Sequence, residues 1–208
     1  MITKKRKLEI ALQAIPTFKN PRADLEQYKT PAKIAADLLW NAHSLGDIEG
    51  LKVVDLACGT GIFSIGAALL GAHDVVGVDI DRDAIESARG EADNRGLDDI
   101  VRFIVNDVHN FDEKGDTVIQ NPPFGAQKAN KEADRIFIEK SLEVAPVVYS
   151  FHLRETYDFV QKYFKASGGQ VTHKFTYNFP IPKTYDFHAK DEVVVDVVVV
   201  RVEKELIS

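Results

Sequence analysis

The sequence has 208 residues, 45% hydrophobic and 28% charged, which suits one well-filled core, so a single domain over 1–208 is expected. One cysteine, Cys58, excludes an internal disulfide, and no Cys/His set has zinc-ligand spacing; the expectation is no metal and a reduced, cytoplasmic setting. A net charge of −6 argues against a wholly basic nucleic-acid face, yet residues 1–33 carry eight basic and three acidic side chains, a basic arm able to hold RNA locally or simply a solvated helix start.

In chain order, "LEIALQAI" (8–15) has helical spacing, and "FKNPRADLEQYKT" reads as a loop around Pro21. Thr30-Pro31 reads as an N-cap followed by proline at the first helical position. The helix "AKIAADLLWNAH" then puts Ile34 and Leu38 on one side, with Trp40 in the core. From Leu51 the pattern repeats. Strands are expected at 52–57, 74–80, 101–108, 116–121 and 146–153, with helices at about 61–71, 82–95, 131–143 and 154–166.

Short apolar strands alternating with helices form βαβ units, hence a parallel sheet covered on both faces. "GGQVTHKFTYNF" (168–179) and "EVVVDVVVVRVEK" (192–204) have no helix between them and read as an antiparallel hairpin with a loop over 180–191. "VVVDVVVVRV" (193–202) is too short to span a bilayer and is broken by Asp196 and Arg201, so no membrane is expected. The expected fold is α/β and Rossmann-like: a seven-stranded, mostly parallel sheet, helices on both faces and a terminal hairpin.

In such a sheet a ligand sits beyond the carboxyl ends of the strands. The first strand runs into "VVDLACGTGIFSIGAA", where Gly59 and Gly61 allow a tight turn close to a ligand at a helix N-terminus. Asp79 ends the second strand, placed for ribose hydroxyls, and Asp107 ends the third, either bordering an adenine ring or forming a turn. A nicotinamide dinucleotide fits less well: Ser64 stands where G-x-G-x-x-G needs its last glycine, and Asp55 would repel a pyrophosphate. S-adenosylmethionine has no phosphate, and its two cationic groups suit these carboxylates.

The fourth strand stops in "DTVIQNPPFGAQ". Pro122 and Pro123 fix the backbone and leave carbonyls as acceptors, Asn121 adds a side-chain oxygen, and Phe124 offers a flat face. That set suits a planar exocyclic amine. Two acceptors on its hydrogens free a lone pair otherwise delocalised into the ring, so no strong base is needed before methyl transfer. A rigid strand-ending turn is the bland alternative.

"DLACGTG", "VDID" and "NPPF" resemble the motif set of class I amino-methyltransferases. "LEQYKTP", "FSIGAALLGA", "DTVIQNPPFGAQ", "VYSFH" and "YDFHAKDEVVVDV" are similar, in order and spacing over about residues 22–202, to the methyltransferase-like protein five family and its archaeal relatives. The resemblance implies N6-methylation of adenosine in small-subunit ribosomal RNA. It implies that 1–30 is a basic extension and cofactor-covering segment on a catalytic core at 31–208. It implies cofactor contacts at Gln27, Thr30, Ala57, Thr60 and Ile62, ribose at Asp79, adenine at Asp107 and Val108, and a catalytic tetrad Asn121, Pro122, Pro123 and Phe124. Tyr28 packs on the cofactor or anchors its segment. Eukaryotic members work with a small zinc-binding activator that pairs with a sheet edge, which in the class I strand order is "VRFIVNDV". The polar segment 125–137 reads as an ordinary solvated loop or as one whose Lys128 and Lys131 meet phosphate, and Phe187-His188 could reach the target base, with His188 in a structural or RNA-positioning role rather than a catalytic one. A glutamine amide in a protein, an adenine in DNA, a nicotinamide-dependent reaction and a silent RNA-binding module are the competing readings.

Overall fold

A computed structural model describes residues 1–124, 133–182 and 192–205. Lys128, Lys131, Phe187 and His188 lie outside them. Among the described residues seven strands form one sheet: β1 (Lys52–Leu56), β2 (Asp74–Asp79), β3 (Val101–Val105), β4 (Thr117–Gln120), β5 (Val147–Leu153), β6 (Gly169–Pro182) and β7 (Glu192–Lys204). Their spatial order is β3-β2-β1-β4-β5-β7-β6. The first five are parallel, while β7 runs antiparallel between β5 and β6. The order reverses between β1 and β4, where a crevice opens at their carboxyl ends.

Each interior strand is buried on both faces, which explains its continuous apolar run. On one face Val53, Val75, Ile119, Val197 and Val199 join a core with α1 (Lys5–Gln13), α2 (Ala32–Ser44), α3 (Ile62–Leu69) and α4 (Arg82–Asn94). On the other, Val54, Val76, Val118, Val198 and Val200 join one with α5 (Ala133–Val144) and α6 (Tyr157–Ala166). The valine run of β7 is thus a strand with two cores and no solvent face over Val197–Val200. Among the described residues no helix is long and apolar enough to cross a membrane.

Two local readings are corrected. Helix α2 takes Pro31 as its N-cap, with Ala35 N donating to Pro31 O at 3.0 Å. Thr30 therefore does not cap the helix; its side chain is engaged elsewhere. Trp40 is only half-buried, stacked on His43 at the margin of the core.

A buried polar cluster ties the amino ends of β4 and β5 to the carboxyl end of the antiparallel β7. Asp47 accepts from Arg201 Nε at 2.7 Å, from Arg201 Nη2 at 3.1 Å and from Tyr149 Oη at 2.5 Å. Thr117 Oγ1 donates to the Asp47 carbonyl at 2.7 Å.

Phe103, on β3, fills a slot left by two missing side chains. A Cβ at Gly61 would lie 2.8 Å from its ring, and one at Gly77 would lie 2.5 Å away. Gly77 sits in mid-β2 and the ring is buried, so neither can yield. Gly77→Ala is expected to cost about 1–3 kcal/mol despite adding strand propensity. A thermal melt that rises would overturn this packing account.

Candidate active site

The crevice holds a cavity of about 310 Å³. Its floor is the turn after β1, where Ala57, Gly59 and Gly61 all have positive φ, at 57°, 54° and 86°. Glycine adopts this region freely, whereas Ala57 pays a steric cost that the turn must over-determine. Asp79 braces the turn from β2: one carboxylate oxygen accepts from Gly59 N at 2.8 Å and the other from Asp81 N at 2.9 Å. Burial nevertheless raises its carboxyl above the usual range.

Asp107 caps the short 3-10 turn Val108–Asn110 by accepting from His109 N at 2.9 Å, and the same oxygen meets His109 Nδ1 at 2.7 Å. Those bonds to the backbone and ring of His109 lower its carboxyl. Asp107 thus forms the turn and also lines the cavity.

The segment before α2 closes the cavity as a strap. Gln27 is buried, donating from Nε2 to Asp81 Oδ2 at 2.6 Å and accepting from Arg22 N at 2.8 Å. Thr60 Oγ1 donates to Pro16 O at 2.9 Å, and the Phe18 ring lies over Gly59, 2.8 Å from where a Cβ would stand. Lys29 Nζ donates to the Ile15 carbonyl. Tyr28 lines the cavity and also packs on the core.

At the other wall, Asn121 Nδ2 donates to Thr30 Oγ1 at 3.0 Å. Its Oδ1 is shielded from solvent and has no hydrogen-bond partner among the described residues. A shielded acceptor left unpaired costs about 1–3 kcal/mol, a cost that a donor brought by a ligand would remove. Pro122, Pro123 and Phe124 continue this wall, with Phe179 edge-on to Phe124 at a centroid separation of 6.1 Å.

The cavity is bordered by all but two of the predicted site residues: Gln27, Tyr28, Thr30, Ala57, Gly59, Thr60, Ile62, Asp79, Asp107, Val108 and the four of the N-P-P-F stretch. Asp55 and Gly61 are the exceptions. Asp55 is fully buried beneath the turn, where one oxygen accepts from Ser64 N at 2.9 Å and from Ser64 Oγ at 2.6 Å. Burial pushes its carboxyl up to about 7. Its period-two position in β1 points it into the protein, and it holds the start of α3 rather than the cavity wall. Gly61 is the N-cap of α3, and its missing side chain makes room for Phe103.

Phe18, Glu26, Phe137 and Phe179 also line the cavity and were missed. Glu26 alone carried a local signal, an acid beside Gln27. Cys58 lines it too, but burial holds its thiol well above the usual range, which removes it as a nucleophile. Behind the wall, Gln120 Nε2 donates to Ser150 Oγ at 2.9 Å, Ser150 Oγ meets His152 Nε2 at 2.7 Å, and His152 Nδ1 meets Asp134 Oδ1 at 2.8 Å. This resembles a hydrolytic triad, but Ser150 is fully buried and does not line this cavity; the chain instead braces the end of β4 against the start of α5. Among the described residues no group of three or more His, Cys, Asp or Glu side chains could hold a metal ion.

The family model described as "Methyltransferase domain" matches residues 47–191. An uncharacterized Methanocaldococcus jannaschii protein is 43% identical, covering 97% of this chain and 94% of its own. The rRNA N(6)-adenosine-methyltransferase METTL5 of Danio rerio is 38% identical, covering 95% and 98%. Among solved structures, the Pyrococcus horikoshii protein PH1948 superposes with a TM-score of 0.90 at 41% identity, covering 99% of this chain and 100% of that one. A glycine turn, an acid closing β2 and an amide closing β4 around one cavity thus coincide with full-length similarity, and the chain belongs to the methyltransferase domain family, in the group that includes the METTL5 rRNA N(6)-adenosine-methyltransferases.

Proposed function

We propose that this protein transfers a methyl group from S-adenosylmethionine to the exocyclic N6 amine of adenine in RNA, with small-subunit ribosomal RNA as the target and the cytoplasm as its place of action. The observation that carries the reading is the shielded, unpartnered Oδ1 of Asn121 on a cavity that Glu26, Asp79 and Asp107 also border.

The residues fit the cofactor. Glu26, Asp79 and Asp107 give the cavity carboxylates that suit a cation, and the turn at Ala57–Thr60 offers backbone rather than side chains to a ligand. Asp79 would hold the ribose hydroxyls, Asp107 and Val108 would border the adenine, and Gln27 and Thr60 would keep the strap closed. When bound, the cofactor supplies an electrophilic methyl group.

The chain's own part is orientation. Asn121 Oδ1 accepts one hydrogen of the target amine, a carbonyl of the proline pair accepts the other, and Phe124 stacks on the base. Drawing both hydrogens away from the ring plane localises the nitrogen lone pair. The amine loses its proton only after the N–C bond has formed, so water suffices as acceptor. A base reaches such a cavity only when unpaired or flipped out. The exposed residues Lys4, Arg6, Lys7 and Lys19 would meet phosphates nearby.

The reading includes a small zinc-binding activator on the free edge of the sheet. β3 is that edge, and Arg89 now donates to the Phe103 carbonyl there, from Nε at 3.2 Å and from Nη2 at 2.6 Å. An added strand would take this carbonyl over from Arg89.

Burial raises the carboxyls of Asp55, to about 7, and of Asp79. Without ligand such groups favour the fold at low pH, and that contribution is lost as pH rises through about 7. A cationic ligand in the cavity favours the ionised form of Asp79, which borders it, and so releases protons on binding. Cofactor affinity is therefore expected to rise with pH as Asp79 ionises and to flatten once it is charged. Calorimetry in two buffers of different ionisation enthalpy reads the proton release; uptake, or no pH dependence, would contradict the assignment.

The direct test incubates the protein with labelled S-adenosylmethionine and small-subunit ribosomal RNA, with and without a candidate activator, and digests the RNA to nucleosides. Label in N6-methyladenosine is expected. Label absent from RNA in both tubes, with cofactor binding demonstrated, would shift the substrate to a protein glutamine or to DNA.

A further inference from the structure

Thr30 ends the strap and Asn121 ends β4, 91 residues apart in the chain, yet their side chains meet at 3.0 Å. A primary amide has a donating and an accepting end, and fixing one fixes the other. Here the donating end is held by the Thr30 hydroxyl, which leaves Oδ1 as the end without a partner among the described residues. Thr30 is only 5% exposed, so water cannot readily substitute for its hydroxyl. The strap that carries it is itself anchored through Gln27 to Asp81 and through Thr60 to Pro16.

We propose that Thr30 is a positioning residue for the transfer step: its hydroxyl accepts from Asn121 Nδ2 and thereby keeps Oδ1 turned toward the substrate amine. The inference rests on reading the cavity as an adenine-N6 site. It gives Thr30 a role other than the cofactor contact expected from sequence, and the two roles separate kinetically. A cofactor contact acts on affinity and is overcome by saturating cofactor. An orienting bond acts on turnover and is not. It also makes the strap part of the catalytic apparatus, since an amide freed from Thr30 can present its N–H end to an amine that has only hydrogens to offer.

The test compares wild type, Thr30→Val, Thr30→Ser, Asn121→Ala and the Thr30→Val/Asn121→Ala double variant, each as the full chain and with the activator if wild type needs it. Cofactor affinity is read by calorimetry, and single-turnover N6-methyladenosine formation is read at saturating cofactor. Valine keeps the shape of threonine and removes the acceptor. Thr30→Val is expected to slow transfer about 10- to 100-fold with cofactor affinity within about twofold of wild type. Thr30→Ser should restore the rate to within about threefold, and Thr30→Val should add nothing to Asn121→Ala. An active wild type with Thr30→Val unchanged, or with its loss recovered at saturating cofactor, overturns the inference alone. A wild type that forms no N6-methyladenosine overturns the reading of the site and the inference with it.

Discussion

Asn121→Ala is expected to reduce methyl transfer by about 100- to 1,000-fold while leaving cofactor affinity nearly unchanged, by the measure of removing one preorganised group aimed at a reacting centre. The side chain is held away from solvent with its acceptor unpaired, so its truncation leaves the substrate amine unsatisfied and also removes the donor that Thr30 Oγ1 accepts from. Stability should change little, because removing the shielded oxygen without a partner is offset by losing the hydrogen bond to the buried Thr30 hydroxyl. Asp79→Ala should behave oppositely. That carboxylate holds the glycine turn through Gly59 N and the start of α4 through Asp81 N, so cofactor affinity should fall first. Turnover by Asn121→Ala at the wild-type rate would refute the mechanism even with the family assignment intact.

Arg201→Ala is expected to destabilise the fold by about 3–5 kcal/mol, the usual cost of leaving one partner of a buried ion pair alone. In a protein of this size that is about 10 °C or more in Tm. Arg201 reaches Asp47 with two N–H groups, and Asp47 also accepts from Tyr149, so the deletion strands a carboxylate beneath β4, β5 and β7. The exposed pair Arg22–Asp24 is a control within the same molecule: both side chains are more than half exposed, and Asp24→Asn should leave the melt unmoved. Equal effects from the two substitutions, measured by thermal unfolding, would show that burial is not what gives the Asp47 pair its weight. The cluster lies at the amino ends of β4 and β5, away from the cavity, so cofactor affinity of the surviving folded Arg201→Ala protein should be close to wild type.

The strands were legible because burial on both faces leaves its mark residue by residue, most plainly in the valines of β7. The site was legible where chemistry is local: a glycine turn, acids ending β2 and β3, and an amide before two prolines. It was not legible where it depends on residues distant in sequence. Phe179 reaches Phe124 only because β7 and β6 fold back beside β5, and Phe18 reaches Gly59 only because the strap crosses the turn. Asp55 misled for a subtler reason. Its position near the end of β1 is readable, but which side of the turn its carboxylate serves depends on Ser64, nine residues further on in the first turn of α3. Thr30 misled likewise: a threonine before a proline has the sequence of a cap, yet its hydroxyl is spent on a residue 91 positions away.

The fit of Phe103 against Gly61 and Gly77 bears on how such a sequence can drift over generations. Neither glycine can acquire a side chain while the ring is in place, and a smaller residue at 103 opens a void while both glycines remain. The passable route is therefore ordered, with the ring shrinking first and a glycine filling afterwards, through an intermediate that is the less stable of the neighbouring states. Because one of the three lies on the edge strand and another opens the helix beside the cofactor cavity, lineages that remodel the edge of this sheet inherit a constraint on the ligand turn, and their substitutions at these positions should be contingent on one another rather than free.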